Sequence, residues 1–316
     1  MITIRYATLA DTAEITAIHV SDISQWQRSF FDDEGERQRV AATYEECSLI
    51  DRWEAGGPWM TPELCAIHLN RLLKSPHIPL VAELEGRVIG ELELFIGQDE
   101  LYGHNCNLSV FYVHQDYRGR GHGSILLEEA IVLARELQCD TFTTYHPDIP
   151  AYYERMGLAL ERTLKLVVVP TLAGKTLLPA RRHAVPPLSR LRGKAILSGR
   201  IVSREQLHWM LLDEGAPGSY AIPAAWRGEE MSYKVGQGAE SSYVTFRDRT
   251  GRNPWAFVHL WGAAWSPELI QSVLVLGHRV GFSALHFMVA EEDLPYLSPF
   301  APSTIAEGTT IHCLRL

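Results

Sequence analysis

The sequence predicts an α/β (α+β) chain: a mixed, mostly antiparallel sheet flanked by helices, followed by a second α/β unit. Three observations predict it. Residues 1–170 alternate between period-2 apolar runs and helical periodicity in the order β-α-α-β-β-β-α-β-α-β. One of the strands runs straight into a glycine-rich turn and then an amphipathic helix, LSVFYVHQDYRGRGHGSILL over residues 108–127. The chain, at 316 residues, is too long for one such unit, and the order partly repeats after residue 194.

Ile2, Ile4 and Tyr6 alternate as a first strand. Asp11 is the expected N-cap of the helix AEITAIHVSDISQWQR. Residues 32–60 turn acidic, then aromatic, then glycine-rich, and read as a helix followed by a loop. Thr61-Pro62-Glu63 opens the helix ELCAIHLNRLLK with proline at its first position. IPLVAEL and VIGELELFIG flank Glu85-Gly86-Arg87, a hairpin signal. After strand 107–113 and the glycine turn come a helix over 124–137, the strand TFTTYH, a short helix AYYERM ending at Gly157, and the strand LKLVVV. In the long helix Ile125, Leu126, Ala130, Leu133, Ala134 and Leu137 form the expected buried stripe.

The first domain is expected over 1–170 and a connector over 171–194, with prolines, glycines and the basic cluster Arg181-Arg182-His183. The second domain follows over 195–316. There AILSGRIV is a strand and Ser203 caps a helix that Gly215 ends. YAIPAAW, MSYKV, YVTFRD and WAFVHLW are strands, with a hairpin turn at 249–253. Ser266-Pro267-Glu268 starts the helix LIQSVLVLGHRVG. SALHFMV is a strand, LPYLSPF a short helix and TTIHCLRL a last strand.

Gly119, Gly121 and Gly123 occupy alternate positions between strand and helix. Glycine permits φ > 0 and close backbone approach, and the amides and dipole of a helix start attract an anion. A dinucleotide loop, G-x-G-x-x-G, fails because Ser124 stands where its third glycine belongs. A Walker A loop fails because His122-Gly123-Ser124 lacks the lysine. Arg/Gln-x-x-Gly-x-Gly/Ala fits, with Arg118, Gly121 and Gly123. In this motif and its strand–helix context the chain resembles the GNAT family, the GCN5-related N-acetyltransferases. The second half resembles a GNAT-like unit in pattern, but Gly262-Ala263-Ala264-Trp265-Ser266 replaces the loop, so no coenzyme A site is expected there.

The resemblance implies acetyl-CoA as acyl donor. Phe111, Tyr112 and Val113 would pair with pantetheine, and Arg118, Gly119, Arg120, Gly121, His122, Gly123 and Ser124 would hold the pyrophosphate. The family's Val-x-Pro is Val113-His114-Gln115 here, so its proline is lost. The family's Tyr-x-x-x-Gly-Phe/Leu is matched by Tyr153, Gly157 and Leu158. The resemblance makes Tyr153 the acid that protonates the departing thiolate. The alternative is a core tyrosine. His146 stands where many relatives place asparagine, and it can bond pantetheine or shuttle a proton. Relatives often carry a glutamate late in the strand before the loop, but Asn107 and Ser109 cannot act as a base. Glu91 and Glu93 share one face of the preceding strand and are the candidate bases through a water, as is His104. Alternatively those carboxylates line a solvated face, and the amine arrives unprotonated or loses its proton along water. Trp26, Trp53 and Trp59, with Glu54 and Asp32-Asp33-Glu34, either cage a cationic acceptor or pack as ordinary core.

The expected function is acetyl-CoA-dependent N-acetylation of a small-molecule amine. The alternatives are a peptide or protein amine as acceptor, and a non-catalytic module that binds acyl-CoA. Residues 1–170 hold 26 acidic and 14 basic residues, whereas 171–316 hold 12 and 15. The acidic half suits a cationic acceptor and disfavours nucleic acid. No apolar run approaches the length of a membrane span, and the first residues show no leader pattern. Five scattered cysteines without C-x-x-C argue against a disulfide framework and a metal, and for a cytoplasmic setting. A monomer or homodimer is expected.

Overall fold

The structure, a computed structural model, describes residues 2–34, 37–145, 149–184, 186–199, 230–247 and 254–316. The expected helix from Ser203 to Gly215, the strand YAIPAAW and the turn at 249–253 lie outside the described residues. Two compact units divide the chain, and they interleave in sequence. Among the described residues one comprises 2–96 and 108–137, and the other 97–107, 138–199, 230–247 and 254–316.

The first unit starts with β1 (Ile2–Tyr6) and α1 (Thr12–Val20), then a hairpin of β2 (Trp26–Phe31) and β3 (Arg37–Ala42). The helices α2 (Leu49–Gly56) and α3 (Pro62–Leu72) lead to β4 (Ile78–Leu84) and β5 (Arg87–Asp99). β6 (Gly103–Val113) and α4 (His122–Glu136) complete it, with residues 97–107 of β5 and β6 counted in the second unit. Its strand order is β1-β4-β5-β6. Glu85 and Gly86, at φ 53° and 80°, form a two-residue turn between β4 and β5. Two left-handed residues match the twist of antiparallel strands.

Several expectations for this unit need correction. Residues 32–60, expected as a helix followed by a loop, instead hold strand β3 and, after it, helix α2. The helix drawn from 13 to 28 ends at Val20, and Trp26–Phe31 is a strand. Ser21 Oγ turns back to the Ile18 carbonyl at 2.6 Å. Such side-chain competition for backbone groups ends helices. Asp11 stands at the helix start, but its carboxylate accepts from Thr8 N at 2.7 Å and from Arg5 rather than from helix amides. α3 and its cap match the expectation, with Thr61 Oγ1 accepting from Leu64 N at 3.3 Å. α1 and α3 press Ile15, Ile18, Cys65 and Leu69 onto Val81 and Val88 of the sheet. α4 buries Leu126, Leu127, Ala130, Ile131 and Ala134, so the stripe is rotated from the expected one and leaves Ile125 and Leu137 exposed.

The second unit continues with β7 (Thr141–Tyr145), α5 (Pro150–Arg155), β8 (Ala159–Pro170), β9 (Ala180–Arg182), α6 (Leu188–Leu191) and β10 (Ala195–Ser198). Next come β11 (Glu230–Val235), β12 (Ser242–Arg247), β13 (Trp255–Gly262), α7 (Pro267–Arg279), β14 (Ala284–Ala290), α8 (Leu294–Leu297) and β15 (Thr304–Arg315). Its order is β7-β15-β8-β14-β13-β12-β11-β9, with β10 on β13. The β13–β14 pair is parallel, and the pairs of β15 with β7 and β8 are antiparallel. α7 lays Leu269, Ile270, Val273 and Leu274 over Val244, Phe246, Val258 and Phe287. Each such side chain, fully buried, stabilises the fold by about 1.5–3 kcal/mol. β15 is longer than the run expected from residue 309 and lies between two strands assigned to the first half.

Candidate active site

β6 delivers Phe111, Tyr112 and Val113, all half-buried, to the start of the glycine turn. Gly119 and Gly121 take φ of 73° and 82°, and a Cβ at either would meet nothing within 4 Å. The glycines are therefore present for their backbone conformation and leave the space in front of it open. Gly121 is the N-cap of α4 and has no side chain to close the amides of His122, Gly123 and Ser124. Those amides and the positive helix end form an anion cradle.

The loop is tied to the end of α1. Gln115 N donates to Ser21 Oγ at 3.1 Å, and Arg118 Nη1 lies 2.6 Å from Asp22 Oδ1. Arg118 Nε donates to the Val113 carbonyl at 2.8 Å. Its guanidinium thus braces the turn against strand and helix, while Arg120 is exposed, with its guanidinium 5.6 Å from the centre of the Tyr117 ring.

Glu91 and Glu93, each 3% exposed, are buried side by side on β5, so the solvated-face alternative does not hold. Glu93 Oε1 accepts from Trp59 Nε1 at 2.9 Å and pairs with His68 Nε2 at 2.8 Å. Glu91 pairs with His19 Nε2. The His19 ring stacks on Trp59 at 5.3 Å and lies 4.3 Å from the Tyr112 ring. Burial pushes the Glu91 carboxyl above its ordinary range, against the pull of His19. Cys65, beside them, is pushed up by burial and by both carboxylates, and stays a neutral thiol.

His19 and His68 were not singled out from the sequence. A signal was there: both follow an Ala-Ile pair, in TAIHV and CAIHL, on helix faces that are otherwise apolar. The other tryptophans pack differently. Trp26 sits edge-on to Tyr44 at 5.1 Å, and Trp53 joins Leu49, Ile50 and Leu64. Glu54 pairs with Arg39 at 3.2 Å, and Asp32 accepts from Glu34 N and Gln38 Nε2 within its own turn.

Tyr153 belongs to the second unit, half-buried on α5 with its ring edge-on to Tyr152 at 5.2 Å. Gly157, at φ 89°, ends that helix segment. His104 also belongs there, its Nδ1 3.1 Å from the Gln138 carbonyl, and buried Asn107 donates to Thr143. His146 lies outside the described residues.

The sequence model of the acetyltransferase (GNAT) family matches residues 23–158. Over those residues the chain is similar to the GNAT family. Curated relatives agree: acetyltransferases of Yersinia pestis (strain Pestoides F) and Yersinia pseudotuberculosis are 33% identical over 91 residues, 28% of this chain and 55% of theirs. The chain thus spans about half the length of the curated relatives it matches. Two solved structures resemble the fold. A GCN5-related N-acetyltransferase from Kribbella flavida aligns with a TM-score of 0.61 at 11% identity, over 99% of this chain and 70% of the other. One from Anabaena variabilis aligns with a TM-score of 0.58 at 13% identity, over 98% and 72%. Those likenesses extend the GNAT resemblance of fold to both halves of the chain.

Proposed function

We propose that this protein is an acetyl-CoA-dependent N-acetyltransferase acting on the amine of a small molecule. One observation carries the reading: the open turn with left-handed Gly119 and Gly121, at the uncapped start of α4 and directly after β6. These residues fit a pyrophosphate, since any side chain there would intrude on the approach. Backbone groups of Phe111, Tyr112 and Val113 would hold the pantetheine arm, and amides from Gly119 to Ser124 the pyrophosphate. Bound acetyl-CoA supplies an activated acyl group as a thioester. Glu91 and Glu93 are the carboxylates available to take the amine proton, and burial, by raising the Glu91 carboxyl, makes it a stronger base than a free carboxylate. Tyr153 is assigned the proton for the leaving thiolate, which a phenol hydroxyl can donate. The acidic balance of residues 1–170 supports a cationic acceptor.

Calorimetric titration of acetyl-CoA, with Gly121→Asp as control, tests the cradle. One site lost in the variant supports it. Unchanged binding in the variant places the cofactor elsewhere, and no binding to the wild type removes the enzyme reading. A panel of phenethylamine, spermidine and a tetrapeptide with a free N-terminus then tests the acceptor. Turnover of the peptide alone overturns the small-molecule assignment. Binding without any turnover favours a module that senses acyl-CoA.

A further inference from the structure

The two buried carboxylates of β5 have unlike surroundings. Glu93 Oε1 meets two ring nitrogens, Trp59 Nε1 and His68 Nε2. Indole N–H can only donate, so this oxygen is held as an acceptor. Glu91 meets one ring nitrogen, that of His19. The His19 ring in turn lies against Tyr112, on the strand that runs into the glycine turn. Next to Glu91 in sequence, Gly90 lies so close to β6 that a Cβ there would come within 3.3 Å of the Tyr112 carbonyl. Glu91 thus stands beside the segment where the acyl group would be held, and its partner touches that segment.

We propose that Glu91, sharing a proton with His19, takes the acceptor's ammonium proton, while Glu93, held by Trp59 and His68, positions that pair. The inference rests on the acetyltransferase reading above. The ammonium gives up one proton and keeps the electron pair on nitrogen. The Glu91–His19 pair goes from a net charge of −1, a carboxylate with a neutral imidazole, to zero. Neutralisation favours the transfer, because a second buried negative charge beside Glu93 is costly in a low dielectric. The titratable groups facing Glu91 are Glu93 on its own strand, His19 on α1, and His68 and Cys65 on α3. β4 presents only Val81 opposite Glu91 and Pro79 opposite Glu93.

Imidazole nitrogen resonances of the 15N-labelled full chain, followed from pH 5 to 9, test this without any acceptor. His19→Gln and His68→Gln assign the signals. The expected result is a His68 that keeps its proton on Nε2 throughout, and a His19 response to pH that changes in Glu91→Gln. A silent His19, or a His68 that titrates in this window, overturns the assignment. With whichever panel amine turns over, Glu91→Gln should lower kcat about 100-fold and abolish the acid limb of the pH profile. Glu93→Gln should lower kcat less and leave that limb in place. A limb that moves with Glu93→Gln instead overturns the proposal. Acetyl-CoA affinity in Glu91→Gln separates the two failures. It should stay within about twofold of wild type, whereas wild-type protein that binds no acetyl-CoA sinks the enzyme reading alone.

Discussion

The imidazole of His77, 9% exposed, accepts the Ile96 amide at Nδ1 over 3.3 Å. That bond requires an unprotonated nitrogen, and burial lowers the pKa of the ring to about 4, against the pull of Glu93. The unfolded chain binds this proton below about 6.5 and the folded chain only below about 4. Stability from this residue is therefore complete above pH 7 and falls as pH drops through that window, by up to about 3 kcal/mol. Urea midpoints at pH 7 and 4.5 measure the fall, and His77→Gln should flatten it. Equal slopes in the two proteins would acquit His77. Tyr153→Phe should lower turnover with acetyl-CoA affinity nearly unchanged, by kinetics and calorimetry; unchanged turnover removes it as the acid. At this scale the glycine turn was legible because its signal is local and periodic. The histidine–glutamate pairs were not, because His19 meets a residue 72 positions away and His68 one 25 positions away.

Elements read best where their ends carry chemistry of their own. Ser266 accepts from Leu269 N at 3.1 Å at the start of α7, as the Ser-Pro-Glu string predicts. Ser266→Ala should cost about 1 kcal/mol, read as a lower denaturation midpoint. Gly277, inside the same helix, is the opposite case. Helix propensity alone favours Gly277→Ala by about 1 kcal/mol. A Cβ there would lie 2.9 to 3.1 Å from three carbons of Leu285. The whole end of that leucine must shift within a packed core, where overpacking costs about 1–3 kcal/mol. The variant is expected to melt lower than wild type; a higher melting temperature would show that Leu285 yields freely. α1 misled because its apolar periodicity continues past Val20. Ser21 and the β-aromatic run from Trp26 compete with it, and only the pairing of β2 with β3 shows which wins.

Across the whole molecule, local pattern gave most strands but not their neighbours. TTIHCLRL reads as a strand from alternation alone, yet nothing in it says that it lies between β7 and β8. The register along β8 is long-range, from Lys165 with Glu307 to Glu161 with Arg315, residues 142 and 154 positions apart. A bulge sits between Glu307 and Thr309. There a Cβ on Gly308 would lie 2.7 Å from the Leu164 carbonyl and 3.0 Å from Leu166 N. Those atoms are backbone and cannot give way. Gly308→Ala should destabilise the second unit, read as loss of amide exchange protection along β8 and β15. Retained protection would show that the bulge relaxes.

The placement of β15 also sets a schedule for biosynthesis. Residues of β7 and β8 leave the ribosome more than a hundred residues ahead of their partner strand. At about 5–20 residues per second the wait is roughly 10–30 s. For that time both strands expose unsatisfied edges, the kind of template on which nascent chains aggregate. Slowing elongation late in the message should therefore lower the yield of native protein, and added chaperones should restore it.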